Sequence, residues 1–414
     1  MITGNSQGLY RRTVLDSGVT IVTEAMPNIR SLAIGFWFDT GSRDEPEELA
    51  GIAHFIEHMN FKGTPRRSAA SIARQIEGRG GHLNAFTSRE YTCYYARIVD
   101  EQLSKAVDVL SDITQHSLFN PDEINKERKV ILEELKNVED TPDDLVFEHF
   151  FAQIFADHPM GRSVLGNRDT LNAINRDGLS DYRSMQYAGS RAVIAAAGSL
   201  DHNRIVRMIE RRFNKNIAPD RERIKPSDNS VIPRQNHHAS TQQAHIIRGY
   251  RAFPYNDPEK YTLLVLNTLL GGGMSSRLFQ EIREKHGLAY TVYSFLDTHL
   301  DSGIFGIYAG TEPEQAEKTL KMITRELDKL VRFPVSEQTL KRVKDQLKGN
   351  LILGLESPGT RMHRLAKSVL YNADWLTLDD IVSLINNVSS DDIQRIARQL
   401  FDKQTSYTTV LLPN

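Results

Sequence analysis

Two histidines four residues apart, with a glutamate between them, are the residues in this 414-residue chain whose types and spacing could do chemistry. His54-Phe55-Ile56-Glu57-His58 lies within Leu49–Asn60, a stretch without proline and with one glycine, Gly51, and it predicts a helix. On a helix His54 and His58 share a face, and Glu57, three residues from His54, flanks it. Ile52, Phe55, Ile56 and Met59 fall on the other side and can pack inward. Two neutral imidazoles at this spacing can hold one zinc ion, and a carboxylate beside them can take a proton from a water that the metal polarises. A polar helix face can also carry two histidines by chance, so the reading needs a third ligand.

An acidic stretch further on offers candidates. Asn120 suits an N-cap, Pro121 the first helical position, and Asp122 and Glu123 the positive end of a helix dipole. The apolar stripe of this predicted helix is Ile124, Ile131, Leu135 and Val138. With Ile124 as origin, Glu127 falls at about −60° and Glu134 at about −80°, whereas Glu133 falls at about 180°. Glu127 and Glu134 therefore border the buried stripe two turns apart, and Glu133 faces water. A carboxylate bordering a core needs a partner. A metal ion and an Arg or Lys are both open at this point.

The elements that must position these groups belong to an ordinary globular chain, 40% hydrophobic and 25% charged. Its length implies two domains of roughly 200 residues each. With a net charge of −2, nothing favours nucleic acid or an anionic membrane as a partner. The single cysteine, Cys93, excludes an intramolecular disulfide and a cysteine zinc cluster, and it suits a reducing compartment. Met1–Thr13 is polar and shows no signal peptide, and no apolar run is long enough to span a membrane. A cytoplasmic location is the expectation.

Strands are predicted at Val19–Ala25, Ser31–Asp39, within His82–Val99 and at Arg191–Ser199, with helices between them. Asn216–Ser240 is rich in Pro, Asp, Arg, Asn and His and reads as a linker, giving units at 1–217 and 241–414 joined by 218–240. His237 and His238 in it are read as solvated. The second half is expected to run strand Ala244–Gly249, helix Asp257–Leu270, helix Ser275–His286, strands Tyr290–Phe295 and Gly303–Ala309, five helices, and a closing strand Ser406–Leu412. The two halves thus follow the same order, which predicts a duplication. Phe119–Glu123 aligns with Phe333–Glu337 at an offset of 333 − 119 = 214. Glu127 and Glu134 then map to Lys341 and Lys348, so only the first copy is expected to keep a metal site.

With these residues in hand, the chain resembles the M16 metallopeptidases, the family of pitrilysin, insulin-degrading enzyme and mitochondrial processing peptidase, over essentially its whole length. His54–His58 matches the family's inverted H-x-x-E-H zinc motif. The family's third ligand is a Glu about 75 residues on, with a supporting Glu seven before it. Here Glu134 is 134 − 58 = 76 positions past His58, and Glu127 is seven before Glu134. The resemblance implies an α+β fold of two tandem homologous units, each a mixed, mostly antiparallel sheet packed with helices. It implies one zinc per chain on His54, His58 and Glu134, with Glu57 as general base and Glu127 supporting the ligands. Asn84, Ala85 and Phe86, in Leu83–Thr87, match an edge strand that takes substrate as an added strand. Phe61 matches a residue lining the pocket beyond the scissile bond, Arg283 and Tyr290 a pair contacting the scissile region, and Asp144 and Glu148 acidic positions that accept a substrate arginine.

The resemblance further implies a zinc endopeptidase acting on peptides or unfolded segments in an enclosed chamber. One chain would be half of that chamber, so a homodimer is expected, with Arg283 and Tyr290 acting on the partner's zinc site. Two alternatives remain. One is the zinc-bearing subunit of a heteromeric processing peptidase, against which the retained Arg283 and Tyr290 speak. The other is a non-catalytic scaffold, against which His54, Glu57, His58 and Glu134 speak.

Overall fold

The computed structural model describes residues 10–213, 217–219, 221–227, 234–401 and 406–414. Residues 220 and 228–233 of the expected 218–240 linker, and residues 1–9, lie outside the described residues. The chain is α+β. Its strands are β1 (Tyr10–Val14), β2 (Thr20–Ala25), β3 (Ser31–Phe38), β4 (His82–Thr87), β5 (Thr92–Val99), β6 (Ala192–Gly198), β7 (Arg234–Ala239), β8 (Ala244–Ala252), β9 (Ala289–Thr298), β10 (Gly303–Thr311) and β11 (Tyr407–Pro413).

Helices of the first half are α1 (Ile52–Met59), α2 (Ala69–Ile76), α3 (Leu103–His116), α4 (Pro121–Asp140), α5 (Pro142–Ile154), α6 (Arg168–Ala173), α7 (Arg176–Gln186) and α8 (His202–Glu210). Those of the second half are α9 (Lys260–Gly271), α10 (Ala316–Arg332), α11 (Glu337–Gly354), α12 (Pro358–Leu370), α13 (Leu378–Asn387) and α14 (Ser390–Leu400).

Two compact units interleave along the chain. The first comprises Met1–Leu135, Arg162–Arg223 and Gly354–Asp374, and the second Lys136–Gly161, Ile224–Leu353 and Trp375–Asn414. These units differ from contiguous halves by two exchanged segments, one carrying α5 and the other α12. The alternation of strand side chains explains the exchange. In the first unit Phe36 and Phe38 join the core with α1, α3 and α4, while Trp37 points the other way, toward His363 of α12 at 5.6 Å between rings. In the second unit Phe305, Ile307 and Ala309 face the core with α9, α10 and α14, while Ile304 and Tyr308 face Val146, Phe150 and Ile154 of α5. Each sheet thus has two apolar faces, and each exchanged helix covers the second one. At Gly249 a Cβ would sit 2.2 Å from the Phe150 ring, so only glycine admits α5 that close.

Both sheets are mixed and mostly antiparallel. The first runs β1-β2-β6-β3-β5-β4 and the second β7-β11-β8-β10-β9. The second order repeats β2-β6-β3-β5-β4, with the single parallel pair in the same place, β2 with β6 and β7 with β11. The duplication expected from element order is present at the level of strand pairing.

Three local expectations are corrected. Arg234–Ala239 is strand β7 rather than linker, and its polarity reflects an edge position where one face meets water. His237 is not merely solvated, because its ring stacks on His149 at 3.8 Å. The helix expected over Ser275–His286 is in large part a π-helical turn, Phe279–Lys285. β1 and α6 had no counterpart in the sequence reading, being short and largely polar.

Candidate metal centre

The first helix of the site is placed from its N-terminal end. Gly51 precedes α1 with φ of 93°, a left-handed conformation, and a Cβ there would lie 2.6 Å from the Leu165 carbonyl oxygen. No side chain of the N-cap residue serves α1. Glu45 does so instead, its two carboxylate oxygens accepting from the backbone N–H of Gly51 at 2.7 Å and of Ala53 at 2.8 Å. Burial pushes the Glu45 carboxyl up to about 8, and the two amide donors pull against it. Along α1, Ile52, Phe55, Ile56 and Met59 are buried in the first core, so the opposite face presents the histidines.

The second helix, α4, is anchored by Ile124, Ile131 and Leu135 in the same core. Arg128 ties it sideways, donating to the carbonyls of Leu171 at 2.9 Å and Ile174 at 2.5 Å. Asn120 accepts from the Asp122 N–H at 2.9 Å at its start. Glu133 is exposed, while Glu127 is buried and Glu134 half-buried.

Three ligand atoms converge. The Nε2 atoms of His54 and His58 lie 3.2 Å apart, and Glu134 Oε2 lies 3.8 Å from the first and 3.6 Å from the second. All three fall within 4.8 Å of one another, and among the described residues this is the one group of His, Cys, Asp or Glu side chains so arranged. For a tetrahedral zinc with ligand bonds of about 2.1 Å, neighbouring donors sit about 3.4 Å apart. The donor set is therefore of the right kind and spacing for zinc. Burial, then the neighbouring His58, holds His54 down at about 3, so it presents a neutral imidazole, the form that binds a metal.

The remaining carboxylates fix the ligands and flank them. Glu127 Oε1 lies 2.9 Å from His58 Nδ1, which assigns the proton to Nδ1 and leaves the Nε2 lone pair toward Glu134. Glu127 Oε2 is paired with Lys62 Nζ at 2.6 Å. Burial raises the Glu127 carboxyl, but hydrogen bonds from His58 and Lys62 more than offset it, and the group lies below the usual carboxylate range. Glu57, beside His58, accepts from the Thr87 hydroxyl at 2.6 Å. Burial raises Glu57 above the usual range, against the pull of that hydrogen bond. A carboxylate raised in this way is suited to take and return a proton.

The other expected residues fall as follows. Asn84, Ala85 and Phe86 lie in β4, the last strand of its sheet. Ala85 packs on the first core, Asn84 is exposed, and the Phe86 ring meets Tyr91, Tyr95 and His363 at 5.7–6.4 Å. Phe61, just past α1, is half-buried against Tyr94 at 6.2 Å. Arg283 and Tyr290 come together in the second unit, the guanidinium 5.0 Å from the ring, with Tyr290 73% exposed. Asp144 and Glu148 lie one turn apart on α5, the first exposed and the second half-buried. The sequence reading missed Glu45 and Lys62. Lys62 had a signal, being four residues past His58. Glu45 had none beyond its place in an acidic turn.

Comparison with known proteins places these observations. The insulinase (peptidase family M16) model matches residues 20–168, and the peptidase M16 inactive-domain model matches 173–347. An uncharacterized zinc protease of Streptomyces coelicolor is 40% identical, over 97% of this chain and 90% of its own length. Another, YmxG of Bacillus subtilis, is 40% identical over 95% of this chain and 96% of its own. A protease of Helicobacter pylori shares the fold with a TM-score of 0.91 at 24% identity, covering 98% of this chain and 99% of that one. A Pseudomonas fluorescens structure described as a peptidase M16 inactive domain gives 0.91 at 18%, covering 98% of each.

Proposed function

Because the chain belongs to peptidase family M16, we propose that it is a zinc-dependent endopeptidase that cleaves peptides or unfolded segments. The observation that carries this reading is the convergence of His54, His58 and Glu134 within 4.8 Å, with Glu57 half-buried at its side. His54, His58 and Glu134 would hold one zinc ion per chain. When bound, the metal supplies Lewis acidity toward a carbonyl oxygen and acidifies water. Glu57 takes the proton of the attacking water and delivers it to the leaving amine, and Thr87 holds the carboxylate in place for both transfers. Glu127, kept ionised by Lys62, orients the His58 ring.

The position of β4 at the sheet edge supports substrate binding as an added strand, in which main-chain hydrogen bonds give affinity without fixing the sequence. Asn84 would meet solvent or substrate, and Phe61 would line the pocket past the cleaved bond. The pairing of Arg283 with an exposed Tyr290 supports their action at a developing oxyanion, in the reading contributed by a homodimer partner within an enclosed chamber. Asp144 and Glu148, like charges on one helix face, favour substrates with an arginine near the cut. The single buried Cys93 fits a cytoplasmic setting, and no helix of the described residues is long and apolar enough to cross a membrane.

The test is a peptide-library digestion read by mass spectrometry, run with metal analysis. Wild type should carry about one zinc per chain, and Glu57→Gln should keep the metal while losing roughly 10²–10⁴ in rate. A Glu57→Gln protein that cleaves as wild type does would overturn the assignment.

A further inference from the structure

Away from the metal centre, the second unit holds a concave cationic pocket of about 530 Å³ along α10, with Arg248 of β8 among its lining. Five cations line it, Arg248, Lys321, Arg325, Lys329 and Arg332, against one carboxylate, Asp328.

Arg248 is 9% exposed, and its guanidinium donates to three neutral oxygens, Tyr250 OH at 2.9 Å, Thr324 Oγ1 at 3.3 Å and Ser406 Oγ at 3.1 Å. Among the described residues no carboxylate pairs with it. Buried charges in proteins are ordinarily paired, and three hydroxyls and the Tyr250 ring, 5.9 Å away, orient this one without supplying a counter-charge. On α10, Lys321, Arg325, Lys329 and Arg332 follow at steps of four, four and three. Like charges so spaced weaken a helix. Lys329 is relieved by Glu326, and Glu317, whose charge Lys321 feels, is already held by Arg234. Lys321, Arg325 and Arg332 form no ion pair among the described residues. Phe333, 64% exposed, adds an apolar wall.

We propose that this pocket binds a small molecule bearing two or more phosphate groups, with Arg248 as the buried anchor and the α10 cations around it. Phosphate fits because a guanidinium fork engages two oxygens at once while flanking cations neutralise the rest. A cavity of this volume suits a small ligand rather than a polymer lying along a surface. α10 carries none of the metal ligands, so the proposal stands apart from the peptidase reading.

The test is calorimetric titration of the full zinc-loaded chain with fructose 1,6-bisphosphate, a weak metal chelator, and separately with inorganic phosphate, at low salt. One saturable site per chain is expected for the bisphosphate, with inorganic phosphate at least about tenfold weaker. Arg248→Gln should weaken the bisphosphate at least about tenfold. The exposed double variant Arg325→Gln/Arg332→Gln, which leaves the core untouched, should weaken it and flatten its salt dependence. Absence of saturable binding, or a double variant that binds as wild type does, would overturn the proposal.

Discussion

At the residue scale, the candidate metal centre is a chain of charges in which each member fixes the next. Lys62 holds Glu127, Glu127 holds the His58 Nδ1 proton, and His58 thereby turns its Nε2 toward His54 and Glu134. Removing the outermost link tests the chain without touching a ligand. Lys62→Met should leave the fold intact and weaken zinc by about 10–100-fold, read by competition with a chromogenic chelator. An unchanged affinity would show that Lys62 only packs. The choice of Glu134 over Glu133 was open to the sequence through helix angles alone. The identity of what Glu127 pairs with was not, since it joins α4 to residues 62 and 58 some seventy positions earlier.

At the element scale, α1 is held by a carboxylate from the preceding turn rather than by its own N-cap. Glu45 is buried, and its pKa of about 8 lies above the unfolded carboxylate value of 4.5. The folded chain then binds a proton that the unfolded chain releases between those values. This group's contribution to stability is present below about 4.5 and is lost as pH rises through about 8. Glu45→Gln removes the titration. Its melting temperature should fall relative to wild type at pH 5.5 by more than at pH 9, measured by thermal unfolding at both. A constant difference would place the proton elsewhere. The edge strands β1 and β7 were poorly legible because neither buries a residue fully, so neither shows an apolar face in its sequence.

At the scale of the whole molecule, two copies of one sheet order have diverged, and among the described residues only the first carries a converging set of His and Glu side chains. In the proposed homodimer, Arg283 and Tyr290 of one copy serve the zinc site of the other. Mixing Glu57→Gln with Arg283→Ala protein should restore part of the activity that each lacks, because mixed dimers contain one complete site. Subunit exchange verified by mass spectrometry without any recovery would exclude sharing in trans.

Short-range order was written in the chain itself. The i, i+4 histidines, the helix face of Glu127 and Glu134, the apolar run of β3 and the parallel order of the halves all rest on helical and strand periodicity, which local sequence sets. Tertiary structure alone decided the rest. Which sheet face receives α5 or α12, which acid caps α1 and where a buried Arg248 meets no carboxylate among the described residues depend on contacts between residues far apart. No local period encodes which distant surface will bury an apolar face or leave a charge uncompensated.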